Sequence, residues 1–199
     1  MSRAFRHAKN EFRAAQQAVD RMRHARDFNG FEIAWRDFLS AIEKTWIKVE
    51  RLCRTAPGFQ QWQRSFKDQR SSDPLLQYVY QARHVDQHTV AEIVSLTPGR
   101  STIVDNTPPG QSLHIKHLEI RGGQIVNYVG NQPLRQIITS PRIDLLPVEN
   151  RGTVSPIPTE HLGTPISSPS AAEAAMLTLK FYENFVLEAE RRFASHARN

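Results

Sequence analysis

The sequence predicts a mainly α protein, an antiparallel helical bundle with a small antiparallel β insertion before its C-terminal helix. Three observations predict it. Apolar residues recur at spacings of three and four through about the first 95 positions. Alternation punctuated by Gly and Pro replaces that pattern from about 98 to 150, and the helical spacing returns at about 170. One domain over residues 1–199 is the economical arrangement, with the bundle at 1–97 and 170–197 and the insertion and its loop at about 98–169. So few strands cannot build a large core, and the last helix needs apolar partners.

The first helix is expected over about 3–26, where Phe5, Ala8, Phe12, Ala15, Val19 and Met22 form a narrow seam. DFNG (27–30) breaks it with turn chemistry. The second helix, about 31–54, has a wider apolar face of Trp35, Phe38, Leu39, Ile42, Trp46, Val49 and Cys53. That width requires more than one packing neighbour. TAPG (55–58) stops it, and Phe59, Trp62 and Phe66 mark a shorter third helix. The three tryptophans are spaced for core packing. SSDP (71–74) opens a fourth helix, with Asp73 as N-cap and Pro74 at the first helical position, expected to run to about 95.

Beyond it, SLHIKHLEI (112–120), the turn Gly122-Gly123 and QIVNYV (124–129) read as a hairpin, with a further strand in 134–147. The Pro-, Thr-, Ser- and Gly-rich stretch 148–169 reads as a loop. Helix resumes at about 170 with Leu177, Phe181, Phe185, Ala189 and Phe193 facing inward.

Composition excludes several classes. With 39% apolar and 23% charged residues the chain is neither disordered nor membrane-embedded, and no apolar run approaches the roughly 18–20 residues that span a bilayer. The start, MSRAFRHAKNEF, lacks the apolar stretch of a secretory signal. Cys53 is the only cysteine, so no intrachain disulfide forms and a cytoplasmic location is expected, with Cys53 a small buried hydrophobe. The net charge is +6, and Arg3, Arg6, Lys9, Arg13, Arg21, Arg23 and Arg26 face only Glu11, Asp20 and Asp27. Such an excess either attracts polyanions such as RNA or forms a solvated helix surface.

Chemistry concentrates in YQARHVDQHTV (80–90). At 100° per residue, Leu75, Val79, Ala82 and Ile93 form the core stripe of the fourth helix, flanked by Leu76, Tyr78, Val85, Val90 and Val94. Tyr80, His84 and His88 follow one another at i,i+4 on the opposite side, with Gln81 and Gln87 beside them. Asp86 falls near the middle of the apolar stripe and Arg83 at its edge. Either they pair with each other, three residues apart, or Arg83 extends around the edge towards His84 and His88. The two histidines could start a metal site, yet no HExxH, Cys partner or second His-rich helix supplies further ligands, so neither metal nor cofactor is expected.

LLQYVYQARHVDQHT resembles the signature helix of the HEPN superfamily, an Arg, a polar residue and, four to six positions from the Arg, a His on one helix of a bundle. Arg83 matches the arginine, His84 the polar residue and His88 the histidine. The resemblance implies an HEPN-like bundle acting as a metal-independent endoribonuclease of toxin or defence type. It implies a homodimer whose motif helices meet in a composite site, RNA as substrate and a cognate antitoxin protein as a further partner. His88 would be general acid/base, Arg83 would stabilise phosphorane charge, and His84 would orient the phosphate or His88. Tyr80, and Gln87 beside it, would contact substrate, or Tyr80 a second subunit. A catalytically silent module of the same kind, binding a protein or nucleotide, is the alternative.

His114 and His117 lie on opposite faces of a strand and cannot form one site. Gly122-Gly123 and Pro109-Gly110 are turn residues with no helix directly after them, so neither makes a phosphate loop.

Overall fold

The computed structural model describes residues 4–88, 92–105, 107–167 and 170–196, excepting the side chains of Gln87, His88 and Asp105. Helices α1 (Arg6–Arg23), α2 (Phe28–Cys53), α3 (Phe59–Ser72) and α4 (Pro74–His88) come first. Strands β1 (Val94–Thr97), β2 (Arg100–Asp105), β3 (Ile115–Arg121), β4 (Gln124–Gly130) and β5 (Leu134–Thr139) follow. Then come β6 (Arg142–Leu145), β7 (Val148–Asn150), β8 (Thr153–Ser155), β9 (Glu160–His161) and β10 (Thr164–Pro165), before α5 (Ala171–Phe193). The chain forms two compact units, Met1–Ser95 with Ile143–Asn199, and Leu96–Arg142.

In the larger unit the helical faces assemble as their spacing predicts. Every seam residue of α1 is buried, and so are all seven predicted core residues of α2. Phe185 of α5 lies between Trp46 and Trp62, stacked at 4.4 and 5.6 Å, while Phe66 meets it edge-on at 5.2 Å. The broad face of α2 therefore serves α1, α4 and α5 together. Asp27 caps α2 by accepting from Gly30 N at 2.7 Å, and Ser170 caps α5 by accepting from Glu173 N at 3.2 Å. Part of the N-terminal basic excess is neutralised inside this unit. Lys9 pairs with Glu190 at 2.5 Å and Arg21 with Asp37 at 2.7 Å; Arg3 lies outside the described residues.

The smaller unit is a pair of nested ladders. Gly122 and Gly123, with φ of +56° and +78°, turn β3 into β4, since a two-residue hairpin of the primed type needs positive φ at both positions. β5 returns antiparallel to β2, from Arg100 opposite Thr139 to Asp105 opposite Leu134. The Gln136 carboxamide joins the two ladders, accepting from Ile125 N at 2.9 Å and donating to Ser101 Oγ at 2.7 Å and to the Gly123 carbonyl. No described residue of this unit is buried. His114 and His117 are both exposed there.

The expected class, a mainly α, HEPN-like antiparallel bundle with a small β insertion, requires correction. Among the described residues 51% are helical and 24% strand, in small antiparallel sheets. The described strands form five two-stranded ladders reaching from Val94 to Pro165, so strand is not confined to a minor insert. The reasons are local. The stretch 148–169, expected as a loop, holds β7 to β10, each of two or three residues, too short for alternation to register. Turns at Arg151-Gly152 and Leu162-Gly163, all at positive φ, fold it into hairpins. The expected strand over 134–147 is two strands, interrupted by Pro141, whose ring supplies no ladder donor. The fourth helix is described to His88 and not to 95; Ile93 and Val94 are buried, Val94 as the first residue of β1, where β-branched side chains fit.

Candidate functional site

α4 begins where its sequence says it should. Asp73 Oδ1 accepts from Leu76 N at 2.9 Å, capping the helix, and Pro74 occupies the first turn, where no donor is needed. Asp73 does more than cap. The same oxygen lies 3.0 Å from His161 Nδ1, and Oδ2 accepts from Leu162 N at 2.6 Å. One buried carboxylate thus fixes the helix N-terminus and the β9–β10 hairpin against each other. Further along, Tyr78, whose phenol pKa is raised by burial, donates its hydroxyl to the Leu146 carbonyl at 2.6 Å.

The core stripe forms as read as far as Val85, whereas Ile93 and Val94, read as its continuation, are buried outside α4. Leu75, Leu76, Tyr78, Val79, Ala82 and Val85 are all buried; Val90 lies outside the described residues. Arg83 and Asp86 do not pair with each other. Asp86 Oδ1 lies 2.8 Å from Arg36 Nη1 of α2, an ion pair by distance although the approach lacks hydrogen-bond alignment. Arg36 also reaches Glu32 Oε1 at 3.1 Å. Arg83 is half-buried, and its Nε is sheltered from solvent with no acceptor among the described residues. A buried donor without a partner costs free energy unless a ligand or ion supplies the acceptor.

Burial raises the Asp86 carboxyl above its ordinary 3.8; Arg36 opposes this, Glu32 adds to it, and Arg83 opposes it. A raised acid pKa means the folded chain holds its proton to higher pH than the unfolded chain. Stability should therefore fall as pH rises from about 3.8 through the folded pKa, then level off. Denaturation midpoints of wild type and Asp86→Asn, compared across that window, should show the decline only in wild type. Parallel curves would mean that Asp86 does not carry it.

Tyr80 and His84 stand on the other side of α4 as predicted, their rings 4.4 Å apart and tilted by 68°. Tyr80 is exposed and His84 half-buried. Arg70 of α3 places its guanidinium 5.0 Å from the Tyr80 ring centre and 4.7 Å from that of Trp46. Its charge is balanced by Glu43 of α2. This aromatic–guanidinium–aromatic layer borders a cavity of about 810 Å³ between α2, α3, α4 and the segment 153–159. Tyr80 and Gln81 line it, whereas Arg83 and His84 do not. His84 is half-buried, and the side chains of Gln87 and His88 lie outside the described residues. Of the predicted site, Tyr80 and His84 are thus brought together and Arg83 lies outside the cavity.

Sequence reasoning missed Arg70, Lys67, Gln77 and the 153–159 wall. Arg70 touches residues 24 positions before it and 10 after it, a relation only packing creates. His161 was missed for the same reason. Among the described residues no three His, Cys, Asp or Glu could share a metal ion. No described helix is long and apolar enough to cross a membrane. Cys53 is fully buried, which pushes its thiol up to about 12 and leaves little reactive thiolate. Comparison with family models, characterised proteins and solved structures gives no match to this chain.

Proposed function

We propose that the protein is a metal-independent endoribonuclease whose cleavage site is built on α4 from Arg83, His84 and His88, and is completed by the α4 of a second copy. The observation that carries this reading is the state of Arg83. The acid on the same helix is engaged by Arg36, and Arg83 Nε has no acceptor among the described residues, which supports a role for Arg83 as a donor to a phosphate. The likeness of Arg83, His84 and His88 to the HEPN signature supports the reading for the motif alone, not for the bundle.

In this chemistry the 2′-hydroxyl loses its proton to the His88 imidazole as the O2′–P bond forms. The P–O5′ bond then breaks, and a protonated imidazole returns a proton to the departing 5′ oxygen. Arg83 meets the charge that develops on the non-bridging oxygens. The products are a 2′,3′-cyclic phosphate and a 5′-hydroxyl. Cognate antitoxin binding would belong to the same toxin-type role.

A module that binds a ligand and cuts nothing is the second reading, favoured by the position of the cavity away from Arg83. The test is incubation of the purified chain with mixed-sequence RNA in excess chelator, with analysis of product ends. Cyclic-phosphate ends are expected; intact RNA at high protein concentration would leave the binding module.

A further inference from the structure

The cavity beside α4 takes no part in the cleavage chemistry just described, and its lining specifies a ligand class. Its volume of about 810 Å³ falls in the roughly 300–1,000 Å³ range of small-molecule sites. Its cations are already balanced. Lys67 is paired with Glu50 at 3.0 Å and Arg70 with Glu43, so the interior does not call for a strongly anionic group. What it offers instead is flat surface. That surface is Tyr80, 39% exposed and flanked by the Arg70 guanidinium, which in turn lies against the buried Trp46 ring stacked on Phe185. Aromatic faces backed by a guanidinium favour a planar ring.

The polar groups are equally specific. Asn150 Nδ2 donates to Gln81 Oε1 at 2.8 Å, which leaves the Gln81 amide nitrogen as a donor. The Gln77 amide nitrogen donates to the Ser71 carbonyl, which leaves Gln77 Oε1 as an acceptor. These two carboxamides stand one turn apart on α4 and both line the cavity. A donor and an acceptor beside a stacking wall match the edge and face of a neutral heteroaromatic ring.

We propose that this cavity is a nucleobase-binding site, in which a base stacks on Tyr80 and meets Gln77 and Gln81 through its polar edge. It rests on the ribonuclease reading only for the source of the base, a nucleotide of the RNA being cut. Tyr80 joins the two sites, since the same ring lies against His84.

The test is titration of adenosine, guanosine, cytidine and uridine into the full chain, followed by tryptophan fluorescence and calorimetry. RNA cleavage is measured in parallel. Ser71→Trp and Val154→Trp fill the cavity from two exposed positions on opposite walls, so at least one should fold as wild type does. Saturable binding of at least one nucleoside is expected, weakened about tenfold or more in either folded variant, with inorganic phosphate failing to compete. Absence of saturable binding by all four nucleosides would overturn the proposal. So would unchanged affinity in a folded filled variant, or displacement by inorganic phosphate. Nucleoside binding by a chain that cuts no RNA would leave this site standing and remove the ribonuclease reading. Cleavage without nucleoside binding would do the reverse.

Discussion

RNA cleavage by Arg83→Ala is expected to fall about 10²–10³-fold, the loss typical when one preorganised donor to a developing oxyanion is removed. Its melting temperature should stay within about 2 °C of wild type, because no ion pair among the described residues depends on Arg83. Arg83→Lys keeps the charge and loses the planar fork, so it should recover only a minor part of the rate. The pH–rate profile of Arg83→Ala should keep the limbs of the wild-type profile and lose height, since the proposed acid/base is His88 and not Arg83. A purely structural Arg83 would give the opposite result, a lowered melting temperature with normal cleavage per folded molecule.

Arg36 sharpens this test. Its ion pair with Asp86 competes with Arg83, one turn back on the same helix, whose charge also acts on that carboxyl. Arg36→Ala should release that carboxylate to pair with Arg83 and lower cleavage, although Arg36 lines no part of the cavity. Arg36→Ala combined with Asp86→Asn should restore it. Equal losses in the single and double variants would show that Arg36 acts on cleavage by another route.

The helices were legible in the sequence because each buries one regular face over several turns, and Asp73–Pro74 carries its own start signal. The β3–β4 hairpin was legible for a similar reason, with two adjacent glycines supplying the positive φ that its turn requires. What escaped reading depends on distant partners or on elements too short to show a period. β7 to β10 lie in a Pro- and Thr-rich stretch, and their identity as hairpins follows from turns in which Arg151 and Leu162 take positive φ. Non-glycine residues adopt that conformation at a cost, so sequence gives no reason to expect it there.

The site divides the same way. The separation of Tyr80 and His84 from the core stripe followed from helix geometry. Geometry equally allowed an Arg83–Asp86 pair, and only α2, 50 residues upstream, decided against it. Arg70 gave no local sign of its place between Trp46 and Tyr80. The cavity was therefore invisible, although Tyr80 and Gln81 on its wall had been placed on the correct face of α4.

Replacing Asp73 with alanine is expected to destabilise the larger unit by about 2–4 kcal/mol, from a lost N-cap worth about 1 kcal/mol, the buried His161 ring left without its partner and the part-buried Leu162 N–H left to water. The side chain is 3% exposed, so water cannot readily replace it beside the His161 ring. Leu162, held by Asp73 through its N–H, sits at φ +48°, a left-handed conformation that costs roughly 1–2 kcal/mol for an ordinary residue. The hairpin is thus locally strained and depends on the helix cap for its anchor. Asp73→Asn keeps one acceptor for the cap and should cost about half as much. Urea denaturation should show the midpoint shift with little change in slope, because the surface exposed on unfolding is unaltered. The loss should also be local in its first appearance. β9 follows directly on the 153–159 wall of the cavity, so amide exchange over 153–162 should accelerate in both variants while the α1–α2 pair stays protected. A loss below about 1 kcal/mol in Asp73→Ala would mean that the hairpin holds its strained turn without the carboxylate. The cavity wall would then owe its position to Ile157, which packs against the core, and not to the cap of α4.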